Sequence, residues 1–154
     1  MLFRSPRWLD HARELTEYWI HHQQLLMAVD RPPELSERAG PVLDALRWAY
    51  PFRLAALHRP EDETVAITVE GEVERRWYLR SNGTGWEFSV SVGIEIAALR
   101  MTTDQAWRLL TNNLAPAAQR DLEFTGDAAV VDVLRRTRAI IGTPNTDGPE
   151  HEVI

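Results

Sequence analysis

The segment ELTEYWIHHQQ, Glu14 to Gln24, sets two carboxylates and two imidazoles within nine residues, around a Tyr-Trp pair. Carboxylate oxygens and neutral imidazole nitrogens are both good ligands for a divalent ion such as zinc. The segment is therefore either one part of a metal site whose other ligands lie elsewhere, or a polar helix face carrying two incidental histidines. His22 stands about 100° around a helix from His21, so the two cannot easily serve one ion. Other chemistries are closed off by composition. There is no cysteine, which excludes disulfides, thiolate nucleophiles and Cys-zinc sites. All 17 basic residues are arginine, so a Schiff-base lysine and a Walker-type phosphate loop are excluded as well. The arginine-only usage hints at a GC-rich bacterial genome.

The elements that would carry these groups follow from periodicity. Trp8, Ala12, Leu15, Trp19 and Leu26 recur at three-, four- and seven-residue steps and predict a helix from Pro6 to Val29. Asp30-Arg31-Pro32-Pro33 ends it. Val42, Leu43, Leu46 and Ala49 predict a second helix over Ser36–His58, kinked or interrupted by Pro51. Beyond Arg59-Pro60-Glu61-Asp62 the period falls to two. Strands are expected at Val65–Val69, Arg76–Arg80, Trp86–Val92 and Ile94–Met101, joined as antiparallel hairpins, with Ser81–Gly85 as a turn. Thr102 and Gln105 have capping-box spacing for a helix to about Thr111. A short strand at Leu122–Phe124 and a last helix from Asp127 complete the order αα-ββββ-α-β-α. Val130, Val131, Leu134 and Ile141 supply the buried stripe of that helix. Trp19, Trp48, Trp77, Trp86 and Trp107 all fall on apolar periodic positions and read as core.

The chain has 154 residues, 44% of them hydrophobic, enough for a real core. A net charge of -6 argues against nucleic acid as the main partner. No apolar run reaches membrane-spanning length, and the N-terminus turns charged too early for a secretory signal, so a cytoplasmic protein without a membrane partner is expected.

Four blocks from about His11 to Gly142, HARELTEYWIHHQQLLMAVDRPPEL, PVLDALRWAYPF, TDQAWRLLTNNLAP and EFTGDAAVVDVLRRTRAIIG, resemble in order the back half of the mycothiol-dependent maleylpyruvate isomerase family. That family joins a DinB-like four-helix bundle to a sterol-carrier-like C-terminal domain. The resemblance implies an α+β fold: an N-terminal helical hairpin, then a mostly antiparallel sterol-carrier-like sheet covered by helices on one face. Residues 1–58 would be the last bundle helix and a linker helix, 59–142 the carrier-like domain, and 143–154 a disordered tail. The family's metal ligands in the last bundle helix match Glu17 and His21 here, with a further histidine expected from an earlier helix. Glu14, or a second chain, could complete the set. The family also uses an arginine of the C-terminal domain near the cofactor; Arg100 and Arg108 are candidates by position alone.

Two functions follow. One is a metal- and thiol-dependent isomerase or transferase acting on a small unsaturated acid, with zinc and mycothiol as cofactors, incomplete without the missing bundle helices. The other is a non-catalytic module that binds a small apolar ligand or mediates assembly. On either reading the hairpin leaves an apolar face, with Trp8, Trp19 and Leu26, that should seek a second copy or a separate bundle subunit.

Overall fold

The computed structural model describes residues 7–139, with side chains from His11 onward. The tail expected at 143–154, together with Ile141, His151 and the Trp8 side chain, lies outside the described residues.

The first helix, α1, spans Arg7–Ala28. Its end is set before the prolines are reached. Asp30 takes a left-handed φ of 59°. Its N–H donates to the Met27 carbonyl, and the Arg31 N–H to the Leu26 carbonyl, closing a Schellman turn. The expected second helix is two helices, α2 at Ala39–Leu46 and α3 at Ala49–Leu54. Pro51 explains where the break falls. A helical Pro51 would leave the Arg47 carbonyl without its donor and push its ring into that carbonyl. The chain therefore turns at Arg47-Trp48, and Pro51 sits in the first turn of α3, where no donor is needed. The predicted stripe of Val42, Leu43, Leu46 and Ala49 is buried. Trp48 is not: the turn rotates it outward and leaves it 61% exposed, against the core position expected.

Five strands follow as one sheet: β1 (Glu63–Glu70), β2 (Arg75–Ser81), β3 (Trp86–Ser89), β4 (Ile94–Thr102) and β5 (Glu123–Gly126). Their spatial order is β3-β2-β1-β4-β5. The sheet is mostly antiparallel, as expected, but β4 does not form a hairpin with β3. It crosses to the far side of β1 and pairs with it in parallel. Two local causes are visible. The strand predicted to run through Val92 stops at Ser89, because the Ser89 hydroxyl bonds both the N–H and the carbonyl of Ser91 and competes with the ladder. Val90 and Val92 are consequently exposed. The crossover then passes against β1 at Gly93, whose N–H donates to Thr64 Oγ1 (2.9 Å), and the Ile94 N–H donates to the Asp62 carbonyl (2.8 Å). A Cβ at Gly93 would run into that same Asp62 carbonyl. Gly93→Ala should therefore destabilise the chain by about 1–3 kcal/mol. Urea unfolding checks this; an unchanged midpoint would show that the crossover is loosely packed.

Helix α4 (Thr103–Leu110) carries the expected capping box: Thr102 Oγ1 accepts from the Gln105 N–H, and Gln105 Oε1 from the Thr102 N–H. After a 3-10 turn at Ala118–Asp121, β5 leads into α5 (Ala128–Arg136). Asp127 caps α5, accepting from the Ala129 and Val130 N–H groups.

The helices cover one sheet face. Val65, Ile67 and Val69 of β1, with Trp77, Leu79 and Leu99 of its neighbours, point into the buried side. Alternate residues such as Thr68, Arg76, Tyr78 and Arg100 line the other side. One continuous buried cluster joins α1 to this core. Trp19 of α1 meets Trp107 of α4 edge to face, 5.6 Å between ring centres. Gln23 of α1, fully buried, accepts from the Glu34 N–H and donates to its carbonyl, pinning the link that follows the helix.

Candidate functional site

Helix α1 has two apolar stripes, and only one is used internally. Thr16, Trp19, Ile20, Gln23 and Leu26 form the buried stripe. The second consists of Leu15, Tyr18, His22 and Leu25, with Val29 just past the helix end, at alternating three- and four-residue steps. That spacing is the a/d seam of a coiled coil. The four apolar members are 53%, 76%, 66% and 65% exposed, and His22 is half-buried. The face expected to seek a partner is therefore made of different residues from those named by periodicity. Trp19 and Leu26 are covered by the chain's own helices, while Leu15 lies on the open stripe. Beside the seam runs a groove of about 310 Å³, bounded by Leu15, Tyr18, Trp19 and His22 on one side and Arg38 and Pro41 on the other.

The expected metal ligands flank this seam. Glu17 Oε1 accepts from Arg13 Nε at 2.9 Å, and His21 Nδ1 lies 3.1 Å from Gln24 Oε1. Glu14 is exposed, 3.8 Å from His11 Nδ1. No group of three or more His, Cys, Asp or Glu side chains that could hold a metal occurs among the described residues. Two ligands on one helix do not make the closed set zinc requires, so the described residues by themselves do not fit that ion.

The candidate arginines are engaged structurally. Arg108 Nε bonds both oxygens of Asp104 at 2.8 Å, and its plane lies over Trp107. Arg100 lies 3.1 Å from Glu70 and 3.7 Å from Glu123. Arg100 also borders a hollow of about 380 Å³ on the outer sheet face, where the paired small residues Ala66 and Ala98 lie among Arg76, Tyr78 and Glu123.

A third charged group ties the sheet to α5. Arg59 reaches Glu63 at 2.6 Å and Asp127 at 3.0 Å. The Val130 N–H, followed by the Arg59 charge, holds the Asp127 carboxyl below its usual range. A depressed folded pKa adds stability above the unfolded value of about 3.9 and loses it as pH falls through the folded value. Wild type should therefore exceed Asp127→Asn in urea midpoint at pH 7, and the gap should close below about pH 4. A gap independent of pH would contradict this assignment.

Among the described residues no helix is long and apolar enough to cross a membrane. No family model matches the chain, and no curated protein matches it. Among solved structures, the chain is similar to sterol carrier protein 2 like 2 from Aedes aegypti, with 13% identity and a TM-score of 0.40, over 60% of this chain and 93% of that one.

Proposed function

We propose that the chain is a non-catalytic assembly module whose α1 seam receives a helix of a partner. The single observation that carries this reading is the exposed 3-4 stripe from Leu15 to Val29. A lone exposed leucine needs no explanation, but four exposed apolar side chains in line, with His22 between them, mark an interaction surface. The line extends for roughly 21 Å at 1.5 Å per residue, the dimension of a helix contact rather than of a small-molecule cavity.

The isomerase alternative places zinc at Glu17 and His21 and lets it activate mycothiol. It needs a further ligand supplied by another chain. Metal analysis of the purified chain beside Glu17→Ala/His21→Ala separates the two. The assembly reading expects substoichiometric metal and the same solution mass for both proteins. Near-stoichiometric zinc, lost in the double variant, would overturn it in favour of the isomerase reading.

A further inference from the structure

We infer that the junction of the α2–α3 turn with edge strand β3 binds an aryl carboxylate, whose anion seats on Arg47 and whose ring lies against Trp48 and Phe52. The site is independent of the α1 seam. Its centre is a cation without an anion. The Arg47 guanidinium carbon lies 4.5 Å from the Phe88 ring centre, 5.8 Å from that of Trp48 and 5.9 Å from that of Trp77. Arg47 Nε is buried without an acceptor, and Arg47 forms no ion pair among the described residues. Ring faces attract the cation, but they do not accept its in-plane N–H groups, and a buried donor left unmet is costly. Trp77 Nε1, in the same cluster, is a second buried donor without an acceptor. What the cluster lacks is therefore an acceptor. Beside an unpaired guanidinium the fitting one is a carboxylate, which takes the N–H fork bidentately.

The chain's own carboxylates do not fill that role. Asp44, three residues before Arg47, has both oxygens taken by Arg75, with Nε at 3.1 and 3.3 Å and Nη2 at 3.1 Å. Glu87 of β3 stands opposite Arg80, on the sheet face away from Phe88. Glu74 lines a hollow with Thr68, Glu70 and Arg76. A second cation, Arg53, lies 5.9 Å from the Phe52 ring centre and is exposed, also without an ion pair. Arg47 and Arg53 thus remain as uncancelled positive charge. The apolar part of the site is prepared as well. The turn that Pro51 imposes brings Trp48 outward, and Phe52 follows four residues on, so both exposed rings share one side of the helix. Phe88 holds the Trp48 ring edge to face, 5.0 Å between centres. A ring already held in place costs little to order when a ligand stacks on it.

Phenylacetate is the probe, with phenylethanol and acetate as controls that each lack one half of it. Binding to the full chain is followed through the tryptophan indole N–H signals by NMR. The inference expects phenylacetate to shift the Trp48 signal saturably, with a dissociation constant of about 10 mM or tighter. Each control should bind at least about tenfold more weakly, since it forgoes either the fork or the stacking. The Trp19 and Trp107 signals, from the α1–α4 contact, should not move. Arg47→Gln should weaken phenylacetate binding at least about tenfold. Phe52→Ala, at an exposed position where the fold tolerates truncation, should weaken it too. Unchanged Trp19 and Trp107 signals in the free variants confirm that each is folded. No saturable Trp48 shift in the millimolar range overturns the inference. So does phenylethanol or acetate binding as tightly as phenylacetate, or unchanged affinity in folded Arg47→Gln. Should Arg47→Gln fail to fold, the phenylethanol contrast and Phe52→Ala decide, and equal affinity in either comparison overturns the site.

Discussion

Leu25→Glu should turn the assembled chain into monomers without disturbing its fold. Leu25 is 66% exposed in the single chain, so a glutamate there meets water and costs little. In a helix contact on the seam it would sit in an apolar layer. Moving a carboxylate from water into such a layer costs several kcal/mol. The dissociation constant should rise by at least about a hundredfold, since each 1.4 kcal/mol is tenfold. Leu25→Ala, which removes only apolar burial, should weaken the contact less, by about 2 kcal/mol. Light scattering reads the mass, and near-ultraviolet circular dichroism confirms the tryptophan packing. A Leu25→Glu protein with unchanged mass would place the interface elsewhere.

Trp107→Ala should cost more folding stability than any exposed aromatic substitution in the chain. Trp107 is fully buried, donates from Nε1 to Asp104 Oδ1 at 2.8 Å, and forms the edge-to-face contact with Trp19 that joins α1 to the sheet layer. Truncating a buried tryptophan costs about 3–5 kcal/mol. That is a large share of the roughly 5–15 kcal/mol that holds a domain together. Because Trp19 loses its ring partner, α1 should loosen first, seen as faster amide exchange in α1 than in β1. Trp48→Ala, at a 61% exposed position, is the internal control and should shift the urea midpoint far less. Equal losses at the two tryptophans would mean that the α1–α4 contact does not anchor the fold.

Much of the architecture was legible because local signals agreed with tertiary demand. The Thr102–Gln105 box, the Asp127 cap and the alternation in β1 each need only near neighbours, and each appears as read. Two departures came from effects that fall away from the residue that signals them. Nothing in Gly93 alone announces that it must pass against Asp62 on the way to a parallel pairing with β1. Likewise Pro51 signals a break at its own position, while its steric effect falls four residues upstream. The candidate site was legible in part. Glu17 and His21 do lie one turn apart on α1, but whether another chain brings a ligand cannot be read from one helix. The seam was present in the sequence as the 15-18-22-25-29 spacing. It was obscured because Trp19 and Leu26, on the neighbouring stripe, are the larger periodic signal and belong to the core.

The most direct test of the central claim is the solution mass of the full chain by multi-angle light scattering across the micromolar range. The account predicts a mass rising toward twice the 17.7 kDa chain value. A constant 17.7 kDa throughout that range would contradict it.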